Sequence, residues 1–275
     1  MTRATLAEVL QPALRDGYAV AGLVCLGWED ARAYVAAAEA EDAPVILQAG
    51  PGARAHMPLP VWAAMFHALA DGASVPVVSH LDHGTSVQDC AEAIALGFTS
   101  VMFDGSRLPL EENIAQTRAI VEMAHKAGVS CEGEIGFVGY AEGASSEGTD
   151  PDEAARFAAE TGVDAMAVSI GNVHLQTDQS AEIDRDRLAR IEAKTHVPLV
   201  IHGGSGLPHT LRSDLARKSE ICKFNIGTEL RMSFGAALRQ TLQDHPEIFD
   251  RISILKEVEA PLTERARHVI RSLRP

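Results

Sequence analysis

The sequence predicts an α/β fold: a closed (β/α)8 TIM barrel with a C-terminal helical extension, in a single domain over residues 1–275. Three observations point there. Eight short apolar runs punctuate the chain, each ending in glycine or polar residues. The runs are continuous and not alternating, as strands covered on both faces of a parallel sheet must be. The stretches between them are Ala-rich and carry helix caps, and the turn after the first run lacks the G-x-G-x-x-G of a doubly wound dinucleotide fold.

The first run, Val20–Leu26, leads through Gly27-Trp28-Glu29-Asp30 into a helix over Asp30–Glu41 that stops before Pro44. The second is Pro44–Ala49. The third, Val75–His80, precedes a helix over Ser86–Leu96, with Ser86 as N-cap and Gly97 as the stop signal. The fourth, Ser100–Phe103, precedes Leu110–Ala127, which carries Glu111 and Glu112 in its first turn and Gly128 just beyond its end. The fifth, Val129–Ile135, runs into the helix-free, Gly/Ser-rich segment Gly136–Thr149, read as a flexible lid over the barrel mouth. Asp150 then caps a helix with Pro151 at its first position, running to Gly162. The sixth, seventh and eighth runs are Ala165–Ile170, Pro198–His202 and Cys222–Ile226, with helices over Asp184–Lys194 and Pro208–Lys218 between them. Phe234–Leu242 and Val258–Ser272 are C-terminal helices suited to closing the barrel or to an oligomer contact.

Composition excludes several classes. An apolar content of 46% is too high for a disordered chain. With 24 Lys and Arg against 38 Asp and Glu, the net charge of −14 argues against nucleic-acid or anionic-membrane partners. The start MTRATLAEVLQ lacks the basic and apolar regions of a signal peptide, and no apolar stretch reaches the roughly 18 residues of a membrane span. Cys25, Cys90, Cys131 and Cys222 are scattered and read as small core residues of a cytoplasmic protein.

Activity in such a barrel sits at the C-terminal ends of the strands. The third run continues as His80-Leu81-Asp82-His83, the fourth as Asp104-Gly105-Ser106, and the fifth holds Glu132 and Glu134. The sixth leads to Asn172-Val173-His174, the seventh to His202-Gly203-Gly204-Ser205-Gly206, the eighth to Asn225-Ile226-Gly227-Thr228-Glu229. His83, His174 and His202 thus share one rim, and three histidines with an open fourth position are the ligand set of a catalytic Zn2+. His80 reads as a support behind them, and His56, His67, His125, His196, His209, His245 and His268 as surface residues. Asp104, Glu132 and Glu134 are either partners that orient the histidines or alternate ligands. Asp82, expected to face the opposite side of the strand end from His83, is a general acid or a structural carboxylate; Glu142 is a catalytic lid carboxylate or a solvated loop acid. The two Gly-rich ends after the seventh and eighth runs match the place where barrels hold phosphate on backbone N–H groups. An acidic chain can bind an anion that way.

The segments HLDH (80–83), SVMFDGS (100–106), EEN (111–113), CEGEIG (131–136), TDPDEA (149–154), TGVDAMAVSIGNVH (161–174), VPLVIHGGSG (197–206) and CKFNIGTE (222–229) together resemble the zinc-dependent class II ketose-bisphosphate aldolases, of fructose or tagatose-bisphosphate type. The resemblance implies a lyase of carbohydrate metabolism, with one Zn2+ per subunit on His83, His174 and His202 and a monovalent cation near the phosphate. It makes Asp82 the acid–base for the aldehyde oxygen, Glu142 the lid carboxylate moving the proton at the donor carbon, and Asn225 a donor to the enolate. Leu175, Gly203, Gly204, Ser205, Asn225, Ile226, Gly227 and Thr228 would hold the donor, dihydroxyacetone phosphate or a close analogue; Asp104 and Glu134 would approach the metal in some states. It also implies a homodimer or homotetramer.

The chain departs from the family where it has Gly22-Leu23-Val24 in place of an AFN motif, Gly50 in place of Ser or Thr, and Leu175 in place of Gly. The donor-phosphate half is therefore expected intact and the distal-phosphate half altered, so the aldehyde partner is not the usual glyceraldehyde phosphate. The alternatives are an ordinary fructose or tagatose 1,6-bisphosphate aldolase and a metal-dependent barrel hydrolase or isomerase. A Schiff-base aldolase is disfavoured because Lys223 sits at the start of its strand.

Overall fold

The structure, a computed structural model, describes residues 2–274. Strands β1 (Val20–Val24), β2 (Val45–Ala49), β3 (Val77–Gly84), β4 (Ser100–Phe103), β5 (Ser130–Ile135), β6 (Ala165–Val168), β7 (Leu199–Ile201) and β8 (Ile221–Ile226) pair in sequence order, all parallel, and β1 closes on β8. This is the (β/α)8 barrel expected. Each strand is buried along nearly all its length, which is why the runs lack alternation.

The helices are α1 (Leu6–Asp16), α2 (Trp28–Ala40), α3 (Pro51–His56), α4 (Leu59–Gly72), α5 (Val87–Ala95), α6 (Leu110–Lys126), α7 (Pro151–Thr161), α8 (Arg185–Glu192), α9 (His209–Lys218), α10 (Thr228–Asp244) and α11 (Arg251–Ser272). The expected caps form: Ser86 accepts from Asp89 N–H, and Asp150 accepts from the N–H groups of Asp152 and Glu153. Three helices were not anticipated, α1, α3 and α4. α1 packs Leu6, Val9 and Leu10 against Val20, Ile46, Val78, Ala165 and Val200, sealing the strand beginnings. α4 buries Trp62 and Phe66, whose ring centroids lie 5.5 Å apart, and Phe66 meets Phe98 at 6.0 Å. The expected C-terminal helices are parts of the longer α10 and α11. α11 is tied to α2 by Arg267 and Arg271, both donating to Glu41. Among the described residues no helix is long and apolar enough to cross a membrane.

One irregularity positions the site. Leu81 pairs with Val101 and Gly84 with Phe103, so β3 holds one residue more than β4 over that step. This is a bulge, which re-aims side chains. His83 takes φ +51 there. On an unbroken strand Asp82 and His83 would face opposite sides, as the sequence led us to expect; the bulge turns both into the barrel mouth instead.

Candidate active site

The strand ends surround a cavity of ≈ 740 Å³, walled by residues that include Asp82, His83, Asp104, His174, Ser205 and Asn225. One donor nitrogen from each of His83, His174 and His202 lies within 4.8 Å of the others, and a second cluster joins His83 to Asp104 and Glu134. The three rings approach edge to face or tilted, with centroids 4.6 to 5.5 Å apart. His83 Nδ1 is bonded to Asp104 Oδ2 at 2.8 Å, which leaves Nε2 for a metal. His202 is held from the other side: its Nε2 meets Glu132 Oε1 at 3.2 Å, leaving Nδ1 for a metal. That Nδ1 and Glu134 Oε2 are 3.3 Å apart, outside hydrogen-bonding geometry, and each is buried without a partner. Buried polar atoms rarely stay unsatisfied. Three converging imidazoles with an orphaned nitrogen fit a divalent ion of the zinc type.

The charges are arranged to match. Burial opposes charge on His202, but Glu134 and Glu132 overcome it and hold the imidazole up at about 10. His174 goes the other way, down to about 3, through burial and the neighbouring His202 and His83. Asp82 stays below the usual carboxylate range: burial would raise it, and His83, His202 and Lys223 outweigh that. Glu132 and Glu134 thus favour positive charge at His202, and Lys223 sets a second cation against Glu132.

Beneath it lies a fully buried polar layer. Lys223 Nζ donates to Glu132 Oε2 at 2.6 Å and meets His80 Nε2 at 3.3 Å, and His80 Nδ1 meets Ser100 Oγ at 2.8 Å. Glu132 supports the ligand His202 directly, and His80 lies one contact further back, against Lys223 and Ser100. Lys223 is spent on that layer, fully buried, and does not line the active-site cavity.

Gly203, in the left-handed region at φ +65, and Ser205, Gly227 and Thr228 line the cavity. A Cβ on Gly203 would meet Val173 O at 2.1 Å, so only glycine fits. Ser205 Oγ accepts from the N–H groups of Gly227 and Glu229, both at 3.2 Å, locking the two loops together. Leu175 is half exposed and lines the cavity. Gly204 and Ile226 are buried behind the wall, so any contact with substrate is not through the Ile226 side chain. The segment after β5 is helix-free as expected, but Phe137 and Glu147 form an antiparallel bridge. Glu142 is exposed at the tip of that hairpin and does not line the cavity. His209 is half-buried, set against Glu229 and the ring of His268.

Three contributors escaped the sequence reading. Gln48 donates to Asp82 Oδ1 at 2.8 Å. Arg54 donates to the carbonyls of Ala49 and Asp82 at 2.7 and 2.6 Å and of His83 at 3.0 Å, fastening the bulge. Tyr140 stacks on His174, with centroids 5.0 Å apart. Gln48 left one signal, a lone polar residue inside an apolar run; Arg54 and Tyr140 left none.

A family model described as class-II fructose-bisphosphate aldolase matches residues 4–274. The 6-phospho-5-dehydro-2-deoxy-D-gluconate aldolase of Shouchella clausii is 39% identical over 258 residues, covering 92% of this chain and 88% of its own. The fructose-bisphosphate aldolase of Geobacillus stearothermophilus is 38% identical over 257 residues, covering 91% and 89%. The crystal structure of the YdjI aldolase from Escherichia coli K12 superposes with a TM-score of 0.87 at 32% identity, covering 98% and 97%.

Proposed function

The chain belongs to the class-II fructose-bisphosphate aldolase family, and from that premise we propose a zinc-dependent aldolase that makes or cleaves a ketose phosphate, with dihydroxyacetone phosphate or a close analogue as donor. The observation that carries this reading is the convergence of His83, His174 and His202 beside Asp82 in the cavity wall. The three imidazoles would hold the ion. When bound, it supplies a Lewis acid that polarises the ketose carbonyl.

The chain's own residues do the rest. In cleavage, Asp82 takes the proton of the hydroxyl beside the scissile C–C bond. The bond electrons pass to the donor carbon as the aldehyde leaves, and Glu142 returns a proton to that carbon once the hairpin brings it in. Asn225 donates to the oxygen where charge develops. Gly203, Ser205, Gly227 and Thr228 hold the phosphate, with Gly204, Ile226 and Leu175 shaping that wall and Asp104 and Glu134 steadying the ligands. A monovalent cation beside the phosphate belongs to the same reading. We read residues 1–275 as one barrel domain, working in the cytoplasm as a homodimer or homotetramer. Val24 and Gly50 offer no polar side chain to a second phosphate, which favours an aldehyde other than glyceraldehyde phosphate.

A screen of ketose 1-phosphates and bisphosphates for release of dihydroxyacetone phosphate, with zinc and after chelation, tests this. Activity surviving EDTA and dialysis rejects the metal mechanism. Fructose or tagatose bisphosphate outperforming every ketose 1-phosphate rejects the altered distal end.

A further inference from the structure

Asp82 is gripped on one oxygen only. Gln48 Nε2 donates to its Oδ1 at 2.8 Å and Asn225 Nδ2 to the same atom at 3.2 Å. Oδ2 receives neither bond and lies over Gly50, where an added Cβ would come within 3.2 Å of it, on the cavity side. A carboxylate only accepts, so both amides must turn their N–H groups to it. Their oxygens are then forced away: Gln48 Oε1 and Asn225 Oδ1 are buried with no donor.

Both oxygens converge on Gly22. A Cβ on that residue would lie 2.2 Å from Gln48 Oε1 and 3.0 Å from Asn225 Oδ1. Gly22 pairs with Ile46 and Asn225, so it stands between the strands of the two amides. The amide of Gln48 occupies the space any larger residue would need. Gly22 is therefore what leaves room on the β1 side for the Gln48 amide while it donates to Asp82 on the neighbouring β3.

We propose that Gln48 is a positioning residue which, through room made by Gly22, clamps Asp82 Oδ1 so that Oδ2 alone faces the substrate hydroxyl. This rests on the reading of Asp82 as the acid–base of C–C cleavage. Positioning of a proton-transfer group within the site is worth orders of magnitude in rate. The clamp acts on the step that uses Asp82 and not on proton exchange at the donor carbon, which uses Glu142.

The test is made on zinc-loaded protein, following ketose phosphate cleavage and, separately, exchange of the dihydroxyacetone phosphate proton with D2O. Gln48→Met keeps the volume and removes the donor. It is expected to slow cleavage about 10–100-fold with exchange changed less than about twofold and zinc content unaltered. Gly22→Ala keeps Gln48 but displaces its amide, and is expected to give the same split. Gly22→Ala should cost less in the Gln48→Met background than in wild type, because part of its effect runs through the lost Gln48 contact. Wild-type cleavage in Gln48→Met, or exchange falling in proportion to cleavage, overturns the proposal while the aldolase reading stands. A wild-type protein that neither exchanges nor cleaves removes the function and this inference together.

Discussion

Replacing Lys223 by Met tests whether the layer under the metal site is held by charge. Lys223 and Glu132 are both fully buried, and Nζ lies 2.6 Å from Oε2. Removing one partner of a buried ion pair typically costs about 3–5 kcal/mol, because the other charge is left uncompensated. Glu132 keeps two contacts, His202 at 3.2 Å and His80 at 3.8 Å, and they draw the expectation toward the lower figure. Near this chain length each kcal/mol moves Tm by about 2–4 °C, so the loss should read as roughly 6–20 °C. The double variant Lys223→Met/Glu132→Gln removes both charges and retains an amide beside His202. It should recover to within about 2 kcal/mol of wild type, since a neutral replacement of a buried pair is often tolerated. Urea midpoints at constant m-value give the numbers. A single variant within 1 kcal/mol of wild type, or a double variant no better than the single, would refute the charge argument.

Asp104→Ala removes the carboxylate that orients His83 through Nδ1; zinc affinity, measured by chelator competition, should weaken about 10–100-fold with little change in Tm. Arg54→Met deletes three charge-assisted bonds to the carbonyls around the β3 bulge. Counted together and not additively, they predict a loss of about 2–4 kcal/mol in urea unfolding, and turnover should fall with them. Glu41 is held down at about 2 by its bonds to Arg271 and Arg267, against a usual value near 4.5. A lowered folded value means that this link stabilises the protein fully above about pH 5 and progressively less as pH falls toward 2. The stability gap between wild type and Glu41→Gln, about 1 kcal/mol after solvent screening, should hold at neutral pH and shrink in acid denaturation series.

The barrel was legible because a strand buried on both faces must be apolar throughout, and eight such runs leave few other topologies. Where the rule has exceptions, the reading slipped. α1 carries its own signals, a Thr5–Glu8 capping box and Gly17 at φ +70, yet these mark a helix without saying that it plugs the barrel floor. α3 and α4 begin at Pro51 and beside Pro60, and proline at a first turn resembles a loop until the rest of the chain is placed. In the site, His83, His174 and His202 were legible because strand ends share one rim in this topology. Asp82 was placed on the wrong side because a bulge is set by pairing register, which no single strand encodes. Gln48 and Arg54 act through distance to β3, and Tyr140 through the pairing of its loop with His174. Such relations exist only once the barrel closes.

The net charge of −14 argues against an anionic ligand until the charges are placed. On the outer surface, arginines are spent against carboxylates: Arg3 with Asp71, Arg118 with Glu160, Arg156 with Glu111, Arg185 with Asp214. Among the described residues, the two arginines lining the cavity, Arg107 and Arg231, pair with no carboxylate; Arg107 lies over the Phe137 ring at 4.1 Å instead. The acids of the cavity are meanwhile each held on one side, Asp82 through Oδ1 by two amides and Asp104 by His83. Paired charges cancel at a distance, and a cleft with low-dielectric walls focuses those left over. The sequence reading set a metal or backbone N–H groups against an anion, and these two arginines line the same cavity. The mouth presents two free guanidiniums and the glycine-rich turns to whatever enters, so an acidic protein can admit a sugar phosphate without a basic surface.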